Sequence, residues 1–271
     1  MPPWRAFVIN LNNDHDRWSF VQQQLAAAEV PYTRISGVDG EALKFPLAEV
    51  SERSLKYLHG RYPSKPEVGC YLSHIKAIEA FLDSDLDYGL ILEDDVALPN
   101  DLGGIVDAAI EFRDDWDILR LSSVNSGRKF RVADLGGGRF LGVCFTREKG
   151  AAAYLLNRKA ARVFRSRLLP MRFAYDIAFD LYFVGLKALM VVPLPVLQGH
   201  GLHPVLPGHG FASRTQHAIP KRPPRRYFTV FPVRAALEVP RFFARMLTYV
   251  RLRLKYAFRP GAAERACTPR R

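Results

Sequence analysis

The sequence predicts an α/β fold built around a parallel sheet, and three observations carry that prediction. Arg5 to Leu11 reads as a first strand around Phe7-Val8-Ile9. Trp18, Val21 and Leu25 recur at helix spacing between Arg17 and Glu29. Pro31-Tyr32-Thr33-Arg34-Ile35 then reads as a second strand, closed by Gly37-Val38-Asp39-Gly40. Strand, helix and strand in that order argue for a parallel sheet.

The remaining elements follow in order. Residues 41–66 are polar and irregular, with Pro46, Pro63 and Pro66. Gly69 to Leu82 is expected to be a helix, because Leu72, Ile75, Ile78 and Leu82 fall three or four apart. Leu90-Ile91-Leu92 is a buried strand, too short for a helix. A helix from about Leu102 to Phe112 and a strand at Trp116–Leu121 come next. Ser122 to Gly138 reads as a loop in which Gly136-Gly137-Gly138 is a mobile turn or a hairpin. It is not a phosphate loop, since no Lys-Ser/Thr follows. Gly150 to Leu156 leads into a helix from Arg158 to about Leu168. A helix bearing Asp176 and Asp180 and a strand at Ala188–Val192 complete the series. Residues 193–226 read as a long loop rich in proline, glycine and histidine.

The most informative stretch is Glu93-Asp94-Asp95, three consecutive acids at the end of the Leu90–Leu92 strand. Adjacent carboxylates repel and lose hydration unless a cation neutralises them. Strand alternation would send Glu93 and Asp95 one way and Asp94 the other. Hard oxygen ligands two residues apart suit Mg²⁺ or Mn²⁺, and such an ion keeps positions open for substrate phosphates. The plain alternative is an acidic turn that caps the next helix at Asn100 or Asp101.

Charge divides the chain. Of its 271 residues, 221–271 hold 14 Lys/Arg against Glu238 and Glu264 alone, so the tail carries the whole net charge of +12. Residues 1–220 are therefore read as a neutral domain and 221–271 as a basic, partly helical extension that meets an anionic surface. From Pro240 to Arg259, one helix face gathers Phe243, Met246, Leu247, Val250, Leu254 and Ala257. Arg241, Arg245, Arg251, Lys255 and Arg259 crowd the other, with Arg253 at the side. The pattern fits an interfacial helix on anionic lipid, or a helix packing its apolar side on the domain. No nucleic-acid-binding module is recognisable, so no nucleic-acid partner is expected. The three cysteines, Cys70, Cys144 and Cys267, lack metal-site spacing and fit a reducing compartment. The N-terminus has no signal-peptide pattern, and no apolar run reaches the roughly 18–20 residues of a spanning helix.

Taken in order, several of these segments resemble glycosyltransferase family 25, the lipopolysaccharide and lipooligosaccharide biosynthesis proteins. They are Phe7-Val8-Ile9-Asn10-Leu11 with Arg17, Gly37-Val38-Asp39-Gly40, and Glu67-Val68-Gly69-Cys70-Tyr71-Leu72-Ser73-His74. Ile91 to Val96, Ala152-Ala153-Tyr154 and the Asp176 region follow, and the likeness covers roughly residues 5–200. The resemblance implies a GT-A-like, Rossmann-type nucleotide-sugar-binding domain. It also implies an inverting transferase that moves a hexose, often galactose, from a UDP-sugar to an acceptor sugar.

On that reading Asp95 and then Glu93 are the metal ligands, while Asp94 holds donor hydroxyls or supports the ligands from beneath. A carboxylate base suits inversion. Asp176 and Asp180, spaced as neighbours on one helix face, are the candidates. Ser73 and His74 are candidates for the donor or metal-linked water, against a packed histidine that orients its helix. Asp39 could accept from uracil or ribose, or simply serve its turn, and Arg17 could contact phosphate or pair with Asp14 or Asp16. Glu67 and Gly69 are read as helix start and close-packing point. His200, His203 and His209 are read as loop residues. The expected cofactor is Mn²⁺ or Mg²⁺, and the acceptor a lipid-linked saccharide or oligosaccharide. The expected place is the inner face of the cytoplasmic membrane. Two rivals remain: a scaffold or nucleic-acid-binding protein acting through its basic tail, and a metal-dependent phosphoester hydrolase, which would need more His and Asp ligands.

Overall fold

In the computed structural model, residues 2–59, 62–125, 127–181, 185–198 and 225–257 are described. Strand β1 (Trp4–Asn10), helix α1 (His15–Ala27) and strand β2 (Tyr32–Ser36) form the expected crossover, with β1 and β2 parallel. Asp14 caps α1 by accepting the Arg17 amide. After a short helix α2 (Glu52–Ser54) comes α3 (Lys65–Leu82), which starts four residues earlier than the apolar spacing suggests. Its start is a capping box. The Ser64 hydroxyl accepts the Glu67 amide, and the Glu67 carboxylate accepts the Ser64 amide.

Strand β3 (Tyr88–Glu93) pairs in parallel with the other side of β1. A two-residue turn, Asp94-Asp95, leads to β4 (Val96–Ala97) and helix α4 (Leu102–Ile110). Beyond β5 (Ile118–Arg120), the expected Ser122–Gly138 loop is largely a hairpin of β6 (Lys129–Gly136) and β7 (Arg139–Cys144). The glycine triplet makes its turn: Gly136, Gly137 and Gly138 all have positive φ, a region costly for other residues. Strand β8 (Ala153–Asn157) and helix α5 (Arg158–Arg167) follow, then α6 (Tyr175–Ala178), β9 (Ala188–Val192), β10 (Leu197–Gln198) and α7 (Arg225–Ala257).

The eight-stranded sheet runs β2-β1-β3-β8-β5-β9-β7-β6. It is mixed rather than wholly parallel, because β8 lies antiparallel between β3 and β5. Successive side chains face opposite layers. Leu90 and Leu92 join a core with Val21, Leu25, Val106 and Trp116, whereas Ile91 joins one with Ile75, Ile78, Phe81 and Phe164. The continuous apolar run of β3 is the signature of a strand covered on both faces. Gly69 lets α3 approach the loop after β2, since a Cβ there would lie 2.6 Å from the Val38 carbonyl oxygen and 2.7 Å from the Gly40 nitrogen. Gly69→Ala is therefore expected to destabilise the fold by about 1–3 kcal/mol, measured by urea unfolding.

Helix α7 lies on the domain with an unexpected side inward. Arg241 and Arg245 are buried and Leu252 joins the core, while Phe243, Met246, Leu247, Val250 and Leu254 stay exposed. The apolar side does not pack on the domain. The reason is electrostatic: Arg245 pairs with Asp180, Lys255 and Tyr256 meet Asp115, and Arg147 and Arg241 meet Glu238. No helix among the described residues is long and apolar enough to cross a membrane. Arg259 and the histidines at 200, 203 and 209 lie outside the described residues.

Candidate active site

The order β2-β1-β3 makes the gap between β1 and β3 a switch point, where chain connections leave in opposite directions and ligands gather at the strands' carboxyl ends. Asn10 ends β1 and Glu93 ends β3 there. Asn10 donates through Nδ2 to Asp94 Oδ2 at 2.6 Å and accepts from Arg34 at 2.5 Å. Arg17, from the first turn of α1, donates to Asp94 Oδ1 at 3.2 Å and pairs with Asp14 at 3.4 Å. Asp94 is thus buried with both oxygens engaged, and ties β1 and α1 to the end of β3. Burial pushes its pKa up, against the pull of Asn10 and Arg17.

Asp95 has a different environment. It is largely buried, and its Oδ1 has no hydrogen-bond partner. Burial, then repulsion from Glu93 and Asp94, raises its pKa to about 7. The turn also corrects the alternation argument: β3 ends at Glu93, so Asp94 and Asp95 are placed by the turn and not by strand pleating. Such a carboxylate fits a cation. A hard divalent ion would supply the missing partner for Oδ1 and cancel the repulsion between the acids.

Glu93 faces α3. Its Oε1 lies 3.2 Å from His74 Nε2, and Oε2 accepts from Gln198 of β10 at 3.3 Å. His74 is 1% exposed. Its Nδ1 meets the Tyr154 hydroxyl at 3.2 Å, its ring stacks on Tyr175 at 4.1 Å, and the two tyrosine hydroxyls are 2.7 Å apart. Cys70, one turn before His74, completes a group of ligand-type atoms with His74 and Glu93, all within 4.8 Å of one another. Ser73 is also buried. It accepts from the Val38 amide at 2.8 Å and donates to the Gly69 carbonyl at 2.7 Å, holding the loop after β2 against α3. Asp39 in that loop is exposed and accepts the Glu41 amide at 3.0 Å.

Asp176 lies on α6 and accepts from the Gly150 amide at 3.4 Å. Gly150 has φ of +85°, and a Cβ there would stand 3.4 Å from Gln198 Oε1. Gln198 is the residue that donates to Glu93, so the glycine that donates to Asp176 lies close to the side chain that reaches the acidic end of β3. Asp180 does not share a helix face with Asp176: α6 ends at Ala178. Asp180 is buried in an ion pair with Arg245. Beside it, burial lowers the pKa of Arg120, while Asp180, Asp176 and Glu148 oppose that shift.

Sequence reading named Asn10 and Tyr154 only within longer segments, gave neither a role, and did not name Tyr175 or Gln198. Tyr154 and Tyr175 reach His74 from 80 and 101 positions away, and only the sheet order brings them together. Asn10 carried a usable signal, as a polar residue ending an otherwise apolar strand.

The sequence profile of glycosyltransferase family 25 (LPS biosynthesis protein) matches residues 4–179. Procollagen galactosyltransferase 1 of Danio rerio is 31% identical over 125 residues, covering 42% of this chain and 20% of that protein. Procollagen galactosyltransferase 2 of Homo sapiens is 28% identical over 124 residues, with the same two coverages. The match thus spans about a fifth of the length of these relatives. A Haemophilus influenzae protein whose name assigns it only provisionally to the glycosyltransferases is 24% identical over 210 residues, 73% of this chain and 71% of that protein. Among solved structures, a glycosyltransferase involved in the glycosylation of the major capsid of PBCV-1 aligns at 10% identity, with a TM-score of 0.39, over 70% of this chain and 81% of that one. The profile match runs from β1 to the residue after α6, taking in both walls of the crevice, and the chain belongs to glycosyltransferase family 25.

Proposed function

We propose that this chain is a metal-dependent, inverting transferase that moves a hexose, galactose in the first instance, from a UDP-sugar to a saccharide acceptor during lipopolysaccharide or lipooligosaccharide assembly. One observation carries the reading: the Asp95 carboxylate, whose buried Oδ1 has no hydrogen-bond partner, at the β1/β3 switch point of a family 25 chain. Asp95, with Glu93 beside it, would hold Mn²⁺ or Mg²⁺, whose chemistry is to neutralise charge on the departing diphosphate.

The protein's own groups do the rest. Arg17 and Asn10 hold the Asp94 carboxylate in the orientation that keeps the turn in place. His74, fixed between Tyr154 and Glu93, positions the Glu93 carboxylate. Asp176 is the proposed base. It takes the proton of the acceptor hydroxyl as that oxygen forms its bond to the anomeric carbon on one face. The bond to the diphosphate oxygen breaks on the other face, which inverts the centre. Asp39, exposed in the loop after β2, is the proposed contact to the nucleoside. The acceptor is a lipid-linked saccharide or an oligosaccharide, and the protein works on the anionic inner face of the cytoplasmic membrane.

The test is UDP-sugar hydrolysis with and without acceptor. UDP-galactose turnover is expected with Mn²⁺, to disappear with chelator, and to return when Mn²⁺ is restored. Chelator-resistant turnover would remove the metal from the mechanism. Release of phosphate from simple phosphoesters instead would favour the hydrolase.

A further inference from the structure

Among the described residues, eight of the thirteen exposed large hydrophobic side chains lie on one element, α7. Six of them, Val239, Phe243, Met246, Leu247, Val250 and Leu254, are spaced so that they share an arc of about 100° at about 100° of rotation per residue. They run along roughly 22 Å of helix at about 1.5 Å per residue. Leu247 is 69% exposed, and Phe243 and Leu254 are each 56% exposed. A patch of this kind on a monomer marks an interaction surface.

The helix cannot turn to hide this face. Its other side is fastened by Arg245 to Asp180, by Lys255 and Tyr256 to Asp115, and by Leu252 in the core. Rotation would strand these charges in buried positions. The same fastening changes the meaning of the basic pattern. Arg241, Arg245 and Lys255 are taken up by carboxylates of the protein. The exposed arginines Arg251 and Arg253 are left flanking the apolar arc on either side.

We propose that this outer face of α7 inserts into the interfacial layer of an anionic membrane, and that apolar insertion rather than charge attraction supplies most of the affinity. Charge selects lipid over a second copy of the chain. A two-fold pair through this face would bring its flanking arginines together, whereas anionic headgroups neutralise them. The inference rests on the membrane location proposed above and names the face and the force. It is independent of the donor chemistry.

The experiment is co-sedimentation of the full chain with vesicles of phosphatidylcholine and phosphatidylglycerol, with UDP-galactose hydrolysis measured in parallel. Raising salt from about 0.1 to about 1 M shortens the Debye length from about 10 to about 3 Å. Binding is expected to fall by less than about tenfold over that range. Leu247→Glu with Val250→Glu should lower partitioning by more than about tenfold with unchanged circular dichroism and hydrolysis, because both side chains point to solvent. Arg251→Ala with Arg253→Ala should cause a smaller loss that vanishes at high salt. Binding abolished by salt, or indifferent to the glutamate pair, overturns the inference. So does a concentration-dependent dimer that the glutamate pair dissolves in a protein that ignores vesicles. Lost hydrolysis with intact vesicle binding would instead count against the transferase reading alone.

Discussion

Asp95→Asn is expected to abolish most donor turnover while making the protein more stable. The loss should reach about a hundredfold or more, as for removal of other groups that stabilise transition-state charge. Its physical origin is the carboxylate whose Oδ1 has no partner and whose neighbours Glu93 and Asp94 repel it. An amide removes that repulsion, and the expected gain is about 1–3 kcal/mol. That corresponds to about 2–4 °C per kcal/mol in a domain of this size.

The sign follows from linkage. The Asp95 pKa rises from 3.8 to about 7 on folding, so the native state binds the extra proton. The stability that Asp95 contributes is therefore fully present below about pH 4 and is lost as pH rises through about 7. The gap between variant and wild type should be widest near pH 8 and narrow toward pH 4, read by thermal melts of metal-free protein across that range. A variant less stable than wild type at pH 8 would show that Asp95 is already satisfied without a cation.

The second large effect is at Asp180. Asp180→Ala deprives the buried Arg245 guanidinium of its nearest carboxylate, leaving Glu238 at 3.8 Å, and removes a counter-charge from Arg120. A loss of about 3–5 kcal/mol is expected from urea unfolding. Asp180→Ala combined with Arg245→Met should recover most of it, since an apolar pair of similar volume can replace a buried ion pair. The double variant is also the decisive activity test. Turnover within a few-fold of wild type assigns Asp180 to the anchoring of α7 and leaves Asp176 as the base. A folded but inactive double variant would return Asp180 to the catalytic step.

These two residues show how far the chain could be read by eye. The β1-α1-β2 unit, α3 and β3 were legible because their apolar periods are long and their ends carry clear signals, such as Ser64 with Glu67. The α/β class followed from them. The β6–β7 hairpin was not, because its strands carry register irregularities and its alternation is broken. Asp176 and Asp180 have helical spacing, yet α6 stops between them. The acidic end of β3 was legible as a cluster of crowded carboxylates, but not the different surroundings of its three members. Asp94 is the tied member because Asn10 and Arg17 reach it from distant parts of the chain. For α7, the pattern identified two faces without saying which is inward. Asp115 and Asp180, which decide that, belong to other segments.

The fastening of α7 has a practical consequence for dissecting the protein. A cut near residue 221 follows the charge boundary in the sequence, and it would suggest two separable modules. The helix beyond that cut is stitched to the sheet layer by Asp115, Asp180 and Leu252. Truncation would therefore expose core surface and orphan the buried carboxylates of Asp115 and Asp180, the latter four residues from Asp176. A shortened protein that misbehaves would say little about lipid. The true seam runs lengthwise along the helix, between its inner and outer sides, and only substitutions on the outer side separate attachment from turnover.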